Sequence, residues 1–185
     1  MGEFVSTDLD TLDILQPSIG VQGPYWVEVS KCDKAACEFA RPHYSRAKPD
    51  SKELGPPGQK IVLMGNDNKA LWGSHRPAPW ANIERMDGFK GHSCFIFRND
   101  GGPLSSLIIR EAVAFTAIRW GVEPFITYVA IDKVKHKRDP GRCFIKAGFK
   151  RIAIKQKTKH GAMLRLEMPS DIVGDCLLEH VDKWL

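Results

Sequence analysis

The stretch that decides the fold is GHSCFIFRNDGGPLSSLIIREAVAFTAIRWGVEPFITYVAIDKVKHKRDPGRCFIKAGF, residues 91–149. It opens with a short apolar run rich in aromatic residues, His92–Arg98, followed by a turn rich in Gly and Asx residues. Leu104–Trp120 then runs without an internal Gly or Pro to Gly121, the residue type that commonly ends a helix. A second apolar run, Phe125–Ile131, follows. Two strands joined by a helical crossover predict a parallel βαβ unit.

The turn before the helix predicts an anion site. The first amides of a helix have no intrahelical partner, and the helix dipole is positive at that end. Gly101 and Gly102 are expected to let a ligand approach the backbone closely. Such a turn suits phosphate or pyrophosphate. The alternative is an ordinary connection between a strand and a helix.

The residues after the second strand extend the pattern. A short helix is predicted to end in the sequence AGF at 147–149, just before the strand-like run Arg151–Ile154. This ordered series resembles the core of the GNAT superfamily of N-acetyltransferases, in which the strand, turn and helix hold the pyrophosphate of acetyl-CoA. The resemblance implies an α/β (α+β) fold. Its central mixed sheet would be flanked by helices and splayed between strands 92–98 and 125–131.

The GNAT resemblance also implies a cofactor site, from which the sequence departs twice. The implied cofactor-binding residues are Arg98, Asn99, Asp100, Gly101, Gly102, Leu104, Ser105, Ser106 and Phe144. The glycines of the phosphate loop are displaced, and Phe144 stands where the superfamily has a tyrosine general acid. A phenyl ring cannot donate a proton. Either another residue supplies the acid, or the chemistry is not simple acetyl transfer.

A series of short motifs is similar to one divergent branch of this superfamily, the Mom-like DNA-modification proteins of phages. The motifs are His43-Tyr44-Ser45, Phe97–Asp100 with Leu104–Ser106, Thr127–Val129 with Asp132, Ala147–Phe149, and Thr158–Gly161 before Leu164. They cover roughly residues 43–166. The resemblance implies N6-carbamoylmethylation of adenine in DNA, an anti-restriction modification. It further implies acetyl-CoA as cofactor, with iron as a candidate second cofactor.

The Mom-like pattern implies four catalytic residues, namely His43, Tyr44, Ser106 and Asp132. His43 can act as a base or a metal ligand near neutral pH, and Tyr44 can donate a proton. Ser106 is expected at the helix start, where its hydroxyl or amide could reach an oxyanion. His43, Tyr44 and Asp132 would give the mixed nitrogen and oxygen ligands that suit iron, so His43 is the candidate metal ligand.

The charge distribution predicts a surface for a polyanion. Between Lys133 and His160 there are eleven Lys and Arg against one acid, in a chain whose net charge is only +5. The predicted DNA-binding residues are Arg46, Lys135, Lys137, Arg138 and Arg142. The target adenine would have to be single-stranded or flipped out of the duplex. The alternative is a solvated charged face.

Length and composition favour one domain over residues 1–185, with residues 1–22 as an N-terminal arm. No stretch reaches the roughly 18 apolar residues that a membrane helix needs, and no signal-peptide pattern opens the chain, so we expect a cytoplasmic protein without membrane contact. The five cysteines show neither a disulfide framework nor a good zinc spacing. The oligomeric state stays open, a homodimer included.

Three functions compete at this point. The first is Mom-type modification of adenine in DNA. The second is ordinary GNAT acetylation of a protein or small amine, which would more often need an acidic substrate pocket. The third is nucleic-acid binding by a catalytically inactive GNAT-like fold.

Overall fold

The computed structural model describes residues 23–46, 48–78, 85, 87–133, 139–152, 157–158 and 161–184. Its strands are β1 (Trp26–Val29), β2 (Gln59–Gly65), β3 (Ala70–Arg76), β4 (His92–Asn99), β5 (Phe125–Ala130), β6 (Lys150–Ile152), β7 (Lys157–Thr158) and β8 (Gly161–Met168). Its helices are α1 (Lys34–Ala40), α2 (Ser105–Trp120), α3 (Arg142–Ala147) and α4 (Ser170–His180). The predicted arm at 1–22 and the predicted DNA-binding residues Lys135, Lys137 and Arg138 lie outside the described residues.

The described strands form a mixed sheet in the order β1-β2-β3-β4-β5-β8-β6, with β7 paired to β8. Strands β4 and β5 pair in parallel, and the other neighbours are antiparallel. Helix α2 joins the parallel pair, because two parallel strands need a crossover connection. The predicted βαβ unit and the predicted mixed sheet flanked by helices are therefore confirmed.

The sheet splits between β4 and β5. The two strands pair only through His92 with Phe125, Ser93 with Ile126, and Cys94 with Thr127. Beyond Cys94, β4 stays paired with β3, and beyond Thr127, β5 stays paired with β8. A gap therefore opens toward the C-terminal ends of both strands, as the sequence predicts, and α2 begins at that same edge.

A β-bulge in β4 accompanies the split. Ser74 of β3 lies opposite Cys94 and Gly73 lies opposite Ile96, which leaves Phe95 as an extra residue in β4. A bulge bends its strand and increases its twist. This one comes directly after Cys94, the last residue of β4 that pairs with β5. We attribute the divergence of β4 from β5 to it.

Two glycines make room for the ring of Phe95. A Cβ atom added to Gly73 would lie 2.2 Å from the ring, and one added to Gly55 would lie 2.8 Å from it. Gly55 also has a φ of +81°, which favours glycine independently of the space available. The bulge thus depends on the absence of a side chain at Gly73.

The sheet carries an apolar cluster on each face. The larger cluster joins the sheet to α2, α3 and α4 and includes Trp72, Phe115, Phe125 and Leu166. The smaller one packs α1 and Leu54 against β2, β3 and β4. Leu178 of α4 lies outside both clusters and is 76% exposed. None of the described helices is long and apolar enough to cross a membrane.

We expect Gly73→Ala to destabilise the fold, because its Cβ would collide with the Phe95 ring. Overpacking of this kind costs roughly 1–3 kcal/mol of unfolding free energy. Gly174→Ala is the matched control. Gly174 lies in α4, and a Cβ added there would meet no described atom within 4 Å. Removing a helical glycine stabilises by up to about 1 kcal/mol. Urea denaturation followed by circular dichroism measures both effects, and equal stability of Gly73→Ala and wild type would contradict the packing argument.

Candidate active site at the strand split

The residues at the gap come from the segment after α1. Pro42 prevents the helix from continuing, and the His43 amide donates to the carbonyl of Ala40 at 2.9 Å. The rings of His43 and Tyr44 stack with a centroid separation of 4.4 Å and an interplanar angle of 30°. This stacked pair reaches the edges of both diverging strands.

Tyr44 contacts the β5 side of the gap. Its hydroxyl donates to the carbonyl of Tyr128 at 3.4 Å and is also hydrogen-bonded to the backbone of Ala130. Although 40% of the residue is exposed, burial of the hydroxyl end raises its pKa to about 12. The bond to Ala130 opposes this shift in the pKa of Tyr44, while Cys94 and Cys143 add to it. Tyr44 therefore stays protonated at physiological pH and can donate a proton.

His43 contacts the β4 side of the gap. Burial lowers the pKa of His43 to about 4, a backbone hydrogen bond with Phe97 opposes that shift, and the charge of Arg98 adds to it. The Ser45 amide donates to Nδ1 at 3.2 Å, and the Ser45 hydroxyl lies 2.8 Å from the same atom. The imidazole is therefore neutral at pH 7. Together the stacked rings bridge the two diverging strands.

Arg98 holds the end of α1 against β4. Its guanidinium donates to the carbonyl of Phe39 and lies 4.5 Å from the centroid of the Phe39 ring. It also pairs with Asp100 at 3.0 Å. The sequence predicts Arg98 and Asp100 as cofactor ligands, but in the structure they interact with each other and with α1. This placement favours a role in positioning the stacked pair.

Asn99 shapes the turn between β4 and α2. Its side-chain oxygen accepts a hydrogen bond from the Gly102 amide at 2.8 Å. Its side-chain nitrogen donates to the carbonyl of Pro103 at 2.7 Å and to the hydroxyl of Ser105 at 2.9 Å. Gly101 faces open space with a φ of +88°, which fits the expected open turn.

Gly102 packs closely against a tyrosine. A Cβ on Gly102 would lie 2.4 Å from the Tyr25 hydroxyl, so the absence of a side chain makes room for that tyrosine. Because Tyr25 in turn donates to Asp67 at 2.8 Å, a side chain at Gly102 would displace a bonded hydroxyl group.

The start of α2 remains suited to an anion. Its N-cap residue, Leu104, makes no side-chain capping bond, and the first turn of α2 holds no acidic residue. Leu104 and Leu107 are 67% and 60% exposed, so the end of the helix is accessible. The first amides of the helix need partners from outside it. Ser105 and Ser106 are half-buried at this point.

Phe144 is a core residue. It is 6% exposed and packs edge to face against Phe97 and Phe149, with centroid separations of 5.6 and 5.3 Å. Its packing therefore favours a structural role over the predicted contact with the cofactor. Its neighbour Cys143 is close enough to the Tyr44 hydroxyl to influence the pKa of Tyr44. The phenol of Tyr44 therefore lies near the start of α3.

The other predicted site residues are dispersed. Asp132 is exposed in the turn that follows β5, and no hydrogen bond between described residues joins it to His43, Tyr44 or Ser106. Ser106 and Asp132 lie at the edge of the sheet where the gap opens, but no hydrogen bond between described residues joins either of them to the stacked pair. Arg142 is exposed at the start of α3.

Arg46 serves the loop that follows the stacked pair. Its guanidinium donates to the carbonyls of Pro49 at 3.2 Å, Ser51 at 2.7 Å and Glu53 at 3.0 Å. A DNA phosphate would have to compete with these bonds. The arrangement favours a structural role over the predicted phosphate contact.

The residues around His43 do not fit an iron site. Nδ1 of His43 already accepts from Ser45, and the ring is hydrogen-bonded to the Phe97 backbone. The part of the chain that the structure describes holds no group of three or more His, Cys, Asp and Glu side chains suited to a metal ion. Iron therefore has no part in the chemistry that we propose for this gap.

Comparison with known proteins gives one structural likeness. No family model matches the sequence, and no curated protein matches it. Among solved structures, the chain is similar to a protein titled "Spermidine N-acetyltransferase SpeG K23-Q34 chimera from Vibrio cholerae and hSSAT", with 10% identity and a TM-score of 0.41. The match covers 63% of this chain and 69% of that chain. A likeness at this level does not identify a family, an activity or a substrate.

We expect His43 to titrate with a pKa of about 4 in the folded protein, because its imidazole is buried and lies near Arg98. The unfolded chain, with a value of about 6.5, takes up the proton first as the pH falls. His43 therefore contributes to the loss of folding stability between about pH 6.5 and pH 4. A ¹H–¹³C NMR titration of the imidazole measures its pKa directly.

His43→Gln is the matched variant for stability. It should flatten the pH dependence of the unfolding free energy in this range, while the contribution of the buried His75 and His92, whose pKa values are also lowered, persists. Titration of His43 near its ordinary pKa would place the ring in solvent and remove it from the gap.

Proposed function

We propose that this chain is an acyl-CoA-dependent N-acyltransferase with acetyl-CoA as its cofactor. The split between β4 and β5, with the hydroxyl of Tyr44 bonded to β5 at the gap, is the main support for this function. The accessible, uncapped start of α2 lies at the same edge of the sheet. The GNAT resemblance of the sequence supports this class of reaction.

The two features suit the two ends of acetyl-CoA. The amides at the start of α2, from Leu104 to Ser106, would bind the pyrophosphate, which the dipole of a 16-residue helix favours. Beyond Cys94 and Thr127 the facing backbone groups of β4 and β5 do not pair with each other. His43 bonds one of these groups at Phe97, and Tyr44 bonds others at Tyr128 and Ala130. The amides of the pantetheine arm would hydrogen-bond the remaining groups, which would bring the thioester toward Tyr44.

Tyr44 would act as the general acid that Phe144 cannot supply. The acceptor amine attacks the thioester carbonyl, a C–N bond forms, and the C–S bond breaks. The leaving thiolate takes the Tyr44 proton, and the proton lost by the amine returns to the tyrosinate through water. His43, with its pKa of about 4, is a weak base at pH 7, so we assign it to orienting Tyr44 through their stacked rings.

We expect Tyr44→Phe to lower kcat by roughly 10²-fold or more while leaving CoA affinity unchanged, since only a proton donor is removed. Tyr128→Phe is the matched control, because the Tyr128 hydroxyl is bonded to Asp87 at 2.9 Å. Release of CoA thiol in the presence of acceptor measures the rate. Equal rates for Tyr44→Phe and wild type would remove the phenol from the chemistry.

We expect Ser106→Asp to weaken CoA binding by roughly tenfold or more, because the new carboxylate repels the pyrophosphate. The same charge near a helix N-terminus stabilises the helix by about 0.3–1 kcal/mol, so the loss of binding cannot be ascribed to unfolding. Ser170→Asp, at the first residue of α4, is the matched control. Calorimetry with CoA gives the affinity, and an undiminished affinity of the folded Ser106→Asp variant would place the pyrophosphate elsewhere.

For the acceptor we propose the exocyclic amine of adenine in DNA. Support comes from the Mom-like motifs and from the basic run after β5. In the described part of that run, Arg142, Lys146 and Lys150 are exposed, whereas Arg151 pairs with Asp139. An ordinary acetyltransferase of a protein or small amine fits the split and the helix start equally well. The surface charge is the observation that favours DNA.

We expect the combined change of Arg142, Lys146 and Lys150 to Ala to weaken DNA binding and reduce its salt dependence. For single-stranded DNA, each phosphate contact that is lost makes the slope of log K against log salt less steep by about 0.7. Lys34, Lys52 and Lys69, three exposed lysines elsewhere, form the matched triple control. Fluorescence anisotropy with labelled single-stranded DNA measures the slopes, and an unchanged slope would place the DNA surface outside α3 and β6.

Nucleoside mass spectrometry separates the three functions. Modified deoxyadenosine in DNA from cells that express the chain supports the DNA acceptor. CoA release with other amines and no modified nucleoside would favour the ordinary acetyltransferase. DNA binding without either product would favour the inactive nucleic-acid-binding protein.

A further inference from the structure

A cavity of about 440 Å³ lies beside the gap, on the face of the sheet that α1 covers. One wall is the loop that follows Tyr44, with Ser45, Arg46 and Lys48. The opposite wall is the bulged part of β4, at Phe95 and Ile96. The cavity has the size of a small-molecule site, since such pockets usually measure roughly 300–1,000 Å³.

The cavity has an excess of positive charge. Glu53, the one acid among the described residues that line it, is already paired with Lys60 and lies 3.4 Å from Lys31. Lys48 is exposed and forms no ion pair with another described residue. The Arg46 guanidinium adds a second positive charge to the lining, although its terminal nitrogens donate to the carbonyls of Pro49, Ser51 and Glu53. Two cations against one acid that is already paired favour an anionic ligand.

The remaining lining is largely apolar. Pro56 and Pro57 line the cavity together with Phe95 and Ile96. The aromatic ring of Phe95 favours a ligand with a planar ring, because two such rings can pack offset or edge to face. The rim residue Ser45 connects the cavity to the proposed active site, because its hydroxyl lies 2.8 Å from Nδ1 of His43.

We infer that this cavity binds a planar ring that carries an anionic group, either a phosphate or a carboxylate. Lys48 would bind the anion, the positive charge of Arg46 would add to the attraction without a direct bond, and the apolar wall would hold the ring. That such a ligand is the acyl acceptor rests on the proposed acyltransferase function, whereas the binding itself does not.

The test is an NMR titration of the full chain, labelled with ¹⁵N, in the absence of CoA. The probes are deoxyadenosine monophosphate, 4-aminobenzoate and uncharged deoxyadenosine. At least one anionic probe should change the chemical shifts of the Ser45, Lys48 and Ile96 amides. It should also bind roughly tenfold or more tightly than deoxyadenosine, because one charge-assisted hydrogen bond contributes about that much. Binding of the nucleotide alone assigns a phosphate, and binding of the benzoate alone assigns a carboxylate.

Lys48→Glu should abolish this preference for the anionic probe while leaving deoxyadenosine binding unchanged. Lys52→Glu is the control, because Lys52 is exposed on the same loop but does not line this cavity. Equal affinity of wild type for charged and uncharged probes would overturn the inference, as would equal effects of the two variants. Anion binding without acyl transfer would reject the proposed enzyme function and leave the anion site standing.

Discussion

The site depends on one constraint, the extra residue that β4 carries at Phe95. Because Gly73 and Gly55 leave space for its ring, the bulge can form, and pairing with β5 ends at the preceding residue, Cys94. Without that split, the edges of β4 and β5 would bond to each other. With it, backbone groups inside the sheet need other partners, because unpaired buried groups are costly. His43 and Tyr44 supply some of them.

The stacked pair is held from both sides. Arg98 ties β4 to the last turn of α1 through Phe39, and the turn after α1 delivers His43 and Tyr44 to the gap. The same segment continues through Ser45 into the loop that Arg46 organises. Structural residues and candidate site residues are therefore neighbours in this segment. A change at Arg98 or Arg46 would alter the geometry of the site, although neither residue has a direct role in the proposed chemistry.

The sequence predicts the elements that local signals define. Gly121 stops α2 with a φ of +95°, and the AGF turn places Gly148 at a φ of +113°, where an L side chain would be strained. These turn and helix-end signals are enough to predict the β4–α2–β5 unit. The site is less predictable, because it depends on contacts between distant residues. The bulge at Phe95 is visible only in the register with β3, and the predicted ligand Arg98 turns toward Phe39, which is far away in the sequence. Gly102 has the residue type of an open turn, yet Tyr25 occupies its free side.

The split between β4 and β5 would receive the thioester of acetyl-CoA next to Tyr44. A crystal structure with a non-hydrolysable acetyl-CoA analogue would show whether it does. We expect the analogue's pyrophosphate on the first amides of α2 and its reacting end about 2.6–3.2 Å from the Tyr44 hydroxyl, the distance that proton transfer requires. An analogue bound away from the gap, with Tyr44 still bonded to Tyr128 and Ala130 and to no ligand atom, would contradict it.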